Sequence, residues 1–187
     1  MTDIKSSGAE NYIRYIKGDD DGFYEIVREY FDGLCAFIYG ITGDHGLSEE
    51  LADDTFYRLA VKKPHYGGKS SFKTWLYSIG RHVALDALKK KRPVQTQLEE
   101  AQGEADAFSP EKAYIDDERK KTLYEALDSL KPEYRQIIWL IYFENMTAEE
   151  AAAVMKKSKN NVYTLLCRAK ESLKIKLEEK GFDNEDL

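Results

Sequence analysis

The chain has 187 residues, with 42% hydrophobic and 33% charged side chains and a formal net charge of −6. That is room for one ordinary domain or two small ones with a real core, and it excludes disorder throughout. No apolar run approaches a bilayer span and no apolar stretch follows a basic start, so neither membrane insertion nor export is expected. The two distant cysteines, Cys35 and Cys167, exclude a disulfide framework and fit a reducing cytoplasm.

Taken in chain order, nearly every segment has helical spacing. A short candidate, AENYIRYIK, ends at Gly18-Asp19-Asp20. In GFYEIVREYFDGLCAFIYGI, which follows, Phe23, Ile26, Val27, Tyr30, Leu34, Phe37, Ile38 and Ile41 recur at the spacing of one helix face. Gly43 to Gly46 separates it from LSEELADDTFYRLAVKK, and Pro64 to Gly68 separates that from SFKTWLYSIGRHVALDALKKK, which stops before Pro93. From Val94 to Pro110 the chain is polar and acidic without a sustained apolar stripe, and its self-repulsion predicts an extended tether. Beyond it SPEKAYIDDERKKTLYEALDSL, PEYRQIIWLIYFE, TAEEAAAVMKK and NNVYTLLCRAKESLKIKLEEK are again helical, and no stretch alternates long enough to argue a strand. The expected fold is all-α: an N-terminal helical domain over residues 1–92, an acidic flexible linker over 93–111 and a C-terminal helical domain over 112–187.

Net charge conceals a sharp segregation. Residues 62–92 hold 9 basic side chains against the single acid Asp86, and residues 151–178 carry +5; between them residues 93–118 carry −7, and upstream residues 22–61 carry −6. Two cationic blocks split by an anionic one point to a polyanion met at two places.

The C-terminal pattern is the more specific. Thr147-Ala148-Glu149-Glu150 has the form of a capping box, in which hydroxyl and carboxylate satisfy early backbone N–H groups reciprocally. A short helix rich in alanine follows, then a break at Lys157-Ser158, with Ser158 placed to cap a longer helix. Short helix, tight turn and long basic helix make a helix-turn-helix. The second helix would turn Asn160, Asn161, Tyr163, Thr164, Cys167, Arg168, Lys170 and Lys174 outward, with Lys159 at its start. Amides and hydroxyls there can read base edges, and Arg168 can grip guanine or phosphate. The plain alternative is a helical hairpin with a solvated basic face.

In residues 72–88, Phe72, Leu76, Ile79, Val83 and Ala87 form one stripe, widened by Trp75 and Leu88, and Lys73, Tyr77, Arg81 and His82 lie opposite. Cations and aromatics on one open face can hold a phosphate backbone and stack unpaired bases. Lys89, Lys90, Lys91 and Arg92 add four charges where the helix dipole also favours cations. Core packing explains part of the aromatics. The second basic element elsewhere in the chain favours the nucleic-acid reading.

An enzyme reading finds little: His45, His65 and His82 form no metal motif, Cys167 has no local base, and HYGGKSS lacks the strand and spacing of a phosphate cradle. No catalytic residue, cofactor or metal is expected. A free-standing helix-turn-helix regulator with a helical sensor domain is the stronger rival, and it would leave the cationic block at 62–92 unused. A protein-only adaptor would leave both basic blocks unused.

The order of these motifs resembles the extracytoplasmic-function (ECF) sigma factors, two-domain specificity subunits of bacterial RNA polymerase. The likeness runs from about Tyr12 to Leu177, through GDDDGFYEIVREYFDGLCAFIYGITGDHGLSEELADDTFYRL, FKTWLYSIGRHVALDALKKKR and LDSLKPEYRQIIWLIYFENMTAEEAAAVMKKSKNNVYTLLCRAKESL. The resemblance implies that core RNA polymerase and promoter DNA are the partners, and family members are often held by an anti-sigma factor. It implies core-polymerase docking by Glu50, Leu51, Asp54 and Phe56. It implies −10 contacts by Lys69, Lys73, Tyr77, Arg81, His82, Lys89, Lys90, Lys91 and Arg92, with an unstacked base received near Pro64–Ser71. The −35 element would fall to the outward residues of the last helix, Lys159 to Lys174. The turn glycine of the family's helix-turn-helix is Lys156 here, which at positive φ costs on the order of 1 kcal/mol.

Overall fold

The computed structural model describes residues 7–91 and 118–181. The expected linker, together with Arg92 and the start of the helix expected from Ser109, lies outside the described residues. An N-terminal unit consists of α1 (Ser7–Ile16), α2 (Asp20–Thr42), α3 (His45–Lys62) and α4 (Phe72–Lys91). A C-terminal unit consists of α5 (Glu118–Asp128), α6 (Pro132–Ile138), a π-helical turn (Trp139–Phe143), α7 (Ala148–Met155) and α8 (Lys159–Glu179). Among the described residues there is no strand, in keeping with an all-α fold.

The helix ends follow local chemistry. Asp19 caps α2 by accepting from the Asp21 amide at 3.2 Å, and Gly43 closes it in the left-handed region at φ 68°, its N–H donating to the Tyr39 carbonyl at 2.8 Å. One residue later Asp44 starts α3, accepting from Leu47 N–H at 2.9 Å. This short relay fixes α2 and α3 as antiparallel neighbours.

α2 is the spine of the molecule. Ile26, Leu34, Phe37 and Ile38 are fully buried along it, and α1, α3 and α4 pack around it. At its N-terminal end Tyr12, Tyr30, Tyr66, Phe72 and Trp75 form an aromatic cluster with ring centroids 5.2–5.7 Å apart. The Tyr12 hydroxyl donates to the Pro64 carbonyl at 2.6 Å and that of Tyr15 to the Ala60 carbonyl at 3.0 Å, tying α1 to the last turn of α3 and the segment after it. α4 crosses α2 at Gly80, where an added Cβ would lie 2.7 Å from Leu34 Cδ1, so any larger residue there would displace the buried Leu34 side chain.

The two units share one core. Buried side chains run without interruption from α2 and α4 into α6 and α7. This seam determines which of the expected site side chains are open.

Candidate nucleic-acid interface

The helix-turn-helix forms as its sequence dictates. The Glu150 amide donates to Thr147 Oγ1 at 3.2 Å while the Thr147 amide donates to Glu150 Oε2 at 3.0 Å, completing the capping box. Lys156 ends α7 in the left-handed region at φ 52°, its N–H directed to the Ala152 and Ala153 carbonyls, so the chain turns sharply without glycine. Ser158 then caps α8 by accepting from Asn161 N–H at 3.2 Å.

On α8, Val162, Ala169 and Leu177 are buried, while Lys159, Asn160, Asn161, Tyr163, Thr164, Cys167, Arg168, Lys170 and Lys174 are all exposed. They stand on the outward side because the buried residues recur at helical spacing on the inner side. Some already have partners. Lys159 is paired with Glu149 on α7, the Thr164 hydroxyl donates to the Asn160 carbonyl at 3.1 Å, and Lys170 lies over the Tyr142 ring. Asn160, Asn161, Cys167 and Arg168 present an amide pair, a thiol and a guanidinium from the first half of the helix.

The cationic block on α4 is divided. Lys69, His82, Lys89 and Lys90 are exposed; His82 pairs with Asp86 at 3.1 Å, and Lys89 approaches the same carboxylate at 3.8 Å. Lys91 ends the helix, and its side chain, like Arg92, lies outside the described residues. The rest turns toward the C-terminal unit. Lys73 Nζ reaches Glu144 Oε2 at 2.9 Å, and Arg81 is half-buried, its charge opposed by burial and supported by Glu133.

Tyr77 corrects the expectation of an open aromatic on this face. It is fully buried, its ring 5.4 Å from that of Phe37 and its hydroxyl against the Glu144 carboxylate without a well-formed hydrogen bond. Burial first, then Glu144, holds its phenol proton far above the usual range. The physical reason is that α4 is packed on two sides, by α2 and by α7. A single stripe read from the sequence allows for only one.

The acidic helix α3 also needs correction. Glu50 is exposed and Asp54 is half-exposed, paired with Arg58 at 2.7 Å. Leu51 and Phe56, however, belong to the core, with the Phe56 ring 5.9 Å from that of Phe31, so neither offers a docking surface in this structure. They share the inner face with Ser48, Ala52, Thr55 and Leu59. The outward face instead carries Glu49, Glu50, Asp53, Tyr57 and Val61, of which Tyr57 is 66% exposed. Their spacing of three and four residues, complementary to the buried row, was the available sequence signal.

Nothing in the local sequence points to the role of Glu144. The π-helical turn routes the Glu144 amide to the Trp139 carbonyl at 3.0 Å, five residues back. Trp139 and Phe143 stack at 4.3 Å, and the Trp139 indole donates to Glu144 Oε1 at 3.1 Å. The carboxylate is thereby held against Lys73, whose ammonium also donates to the Glu144 carbonyl at 3.1 Å.

Among the described residues no helix is long and apolar enough to cross a membrane. The family model for sigma-70 region 2 matches residues 26–94, and that for sigma-70 region 4 matches residues 120–173. The chain is 28% identical over 171 residues to the ECF RNA polymerase sigma factor SigW of Bacillus subtilis, covering 86% of this chain and 91% of that one. To SigX of the same organism it is 26% identical over 165 residues, covering 85% of each. Among solved structures it is similar to the sigma factor RpoE in its co-crystal with the anti-sigma factor NepR from Bartonella quintana. That match has a TM-score of 0.65 at 24% identity over 85% of this chain and 98% of that one. It is also similar to CnrH in complex with the cytosolic domain of CnrY, with a TM-score of 0.66 at 18% identity over 93% and 99% of the two chains.

Proposed function

Because this chain belongs to the extracytoplasmic-function sigma factors, we propose that it docks on core RNA polymerase through the outward face of α3 and directs it to two-part promoters. The −35 element meets α8, and the −10 element meets α4 and the loop before it. The protein supplies specificity and assists duplex opening without covalent chemistry of its own. Core polymerase, promoter DNA and an anti-sigma factor are its partners, in the cytoplasm.

The observation that carries this reading is the open row on α8, where Asn160, Asn161, Thr164, Cys167 and Arg168 stand outward at the start of the second helix of a well-capped helix-turn-helix. An amide can address adenine and a guanidinium guanine or phosphate, so the row has the chemistry of major-groove readout. On the opposite unit, Glu49, Glu50 and Asp53 leading to Tyr57 suit a basic protein surface with an apolar centre.

A pull-down with purified core RNA polymerase tests the reading directly. A complex at about micromolar concentration is expected, lost when Asp53 and Tyr57 are both replaced by alanine. No complex with the wild-type chain, together with dimerisation and sequence-specific DNA binding in its absence, would put the free-standing regulator ahead.

A further inference from the structure

α8 begins with a cation where a cation is poorly placed. The first backbone N–H groups of a helix lack partners within it and give its start a partial positive charge, which favours anions. Lys159 is nonetheless the first residue of α8 after the Ser158 cap. Its charge is met from the neighbouring helix, by the carboxylate of Glu149 in the first turn of α7. The same ammonium lies 5.7 Å from the centroid of the Tyr163 ring, one turn along α8. The contact with Lys159 lowers the Glu149 carboxyl from its ordinary value and raises the Lys159 ammonium, so both stay charged at neutral pH.

Glu149, Lys159 and Tyr163 are all exposed, beside Asn160, Asn161 and Thr164 at the head of α8. An exposed ion pair contributes little to stability. Nor does α7 need the Glu149 carboxylate for its cap, since Thr147 and Glu150 form the capping box. The consequence of the pair therefore lies in what α8 meets. A free lysine at this position would neutralise a phosphate, a contact that a duplex of any sequence offers. Paired with Glu149, Lys159 brings no net charge, and the head of the helix presents neutral amides and a hydroxyl. Their hydrogen bonds depend on which base edge stands opposite.

We propose that Glu149 is a specificity-determining residue: by holding Lys159 it keeps the head of α8 from gripping phosphate on DNA of any sequence, and leaves recognition there to Asn160, Asn161 and Thr164. The proposal rests on the reading of α8 as the −35 helix. Glu149 acts through Lys159 and touches no base, so it is a positioning residue. Its removal tightens binding to every duplex and blunts the preference for the right one.

Three variants of the full chain test it. Glu149→Gln keeps the size of the side chain and removes its charge, Lys159→Ala removes the cation, and the third carries both changes. None touches the caps formed by Thr147, Glu150 and Ser158, and circular dichroism checks the helix content of each. A fluorescein-labelled duplex of mixed sequence serves as probe, read by anisotropy across a salt series. Glu149→Gln should steepen the slope of log affinity against log salt by about 0.9, so that a fourfold dilution of salt gains it about 3.5-fold more than it gains the wild type. Lys159→Ala and the double variant should keep the wild-type slope, since the one loses no phosphate contact and the other can form none. An unchanged slope in Glu149→Gln, or a slope reduced by about 0.9 in Lys159→Ala, would overturn the proposal. So would equal steepening with and without Lys159, which would make Glu149 a plain repulsive charge. With the chain bound to core polymerase, selection from a pool of randomised duplexes should return a broader set of −35 sequences for Glu149→Gln than for wild type, and an equally narrow set would also overturn it. Selection of no −35 sequence by wild-type chain on polymerase would instead count against the sigma-factor reading, with the link between Glu149 and Lys159 still judged by the slopes.

Discussion

Cys167 and Cys35 differ in exposure. Cys167 is exposed on the outward row of α8 between Thr164 and Arg168. Cys35 is half-buried, and burial, then Glu49, Asp32 and Asp53, push its thiol up to about 11, so little thiolate is present at neutral pH. N-ethylmaleimide should therefore modify Cys167 first and abolish −35-dependent transcription, while Cys167→Ser stays active after treatment. Equal loss in Cys167→Ser would show that the sensitive group lies elsewhere. Arg168 follows on the same row, one helical turn beyond Thr164, with its guanidinium exposed. Arg168→Ala should lower transcription from promoters with an intact −35 element by roughly 10- to 100-fold, the equivalent of about 1–3 kcal/mol of base discrimination. The same loss on promoters of every −35 sequence would reduce its role to phosphate contact.

At the scale of the element, the turn between α7 and α8 was legible almost residue by residue. The capping box of Thr147 and Glu150 and the Ser158 cap depend on atoms three residues apart, which a sequence displays directly. Lys156 at φ 52° is the strained exception. Lys156→Gly should raise stability in urea unfolding by about 0.5–1 kcal/mol, the relief at positive φ being partly offset by the freer unfolded chain. A destabilised variant would mean that the Lys156 side chain contributes more than its backbone costs. α3 and α4 were less legible. Periodicity located them, but choosing the outward row of α3 required knowing that Leu51 and Phe56 pack inward, and α4 has two covered sides.

For the whole molecule, the distribution of charge matters more than its sum. Lys89 and Lys90 extend away from the seam at the far end of α4, with Asp86 nearby on the same helix. Replacing both with alanine should flatten the salt dependence of promoter binding, lowering the slope by about 1.5, since each phosphate neutralised contributes about 0.7–0.9. An unchanged slope would make these lysines bystanders. Binding at low salt should weaken with them, while thermal stability should hardly change, because exposed ion pairs on a helix surface contribute little.

The helices, their caps, the segregated charge and the exposed polar row of α8 were determined by the sequence alone, because each depends on periodicity or on hydrogen bonds spanning a few residues. The tertiary structure alone decided that Tyr77 is interior, that Lys73 faces a carboxylate and that half of the α4 face is closed. Those outcomes turn on groups as distant as Ser71 and Glu150, 79 residues apart. No local pattern records whether two such surfaces meet, because the free energy of the meeting belongs to both of them at once.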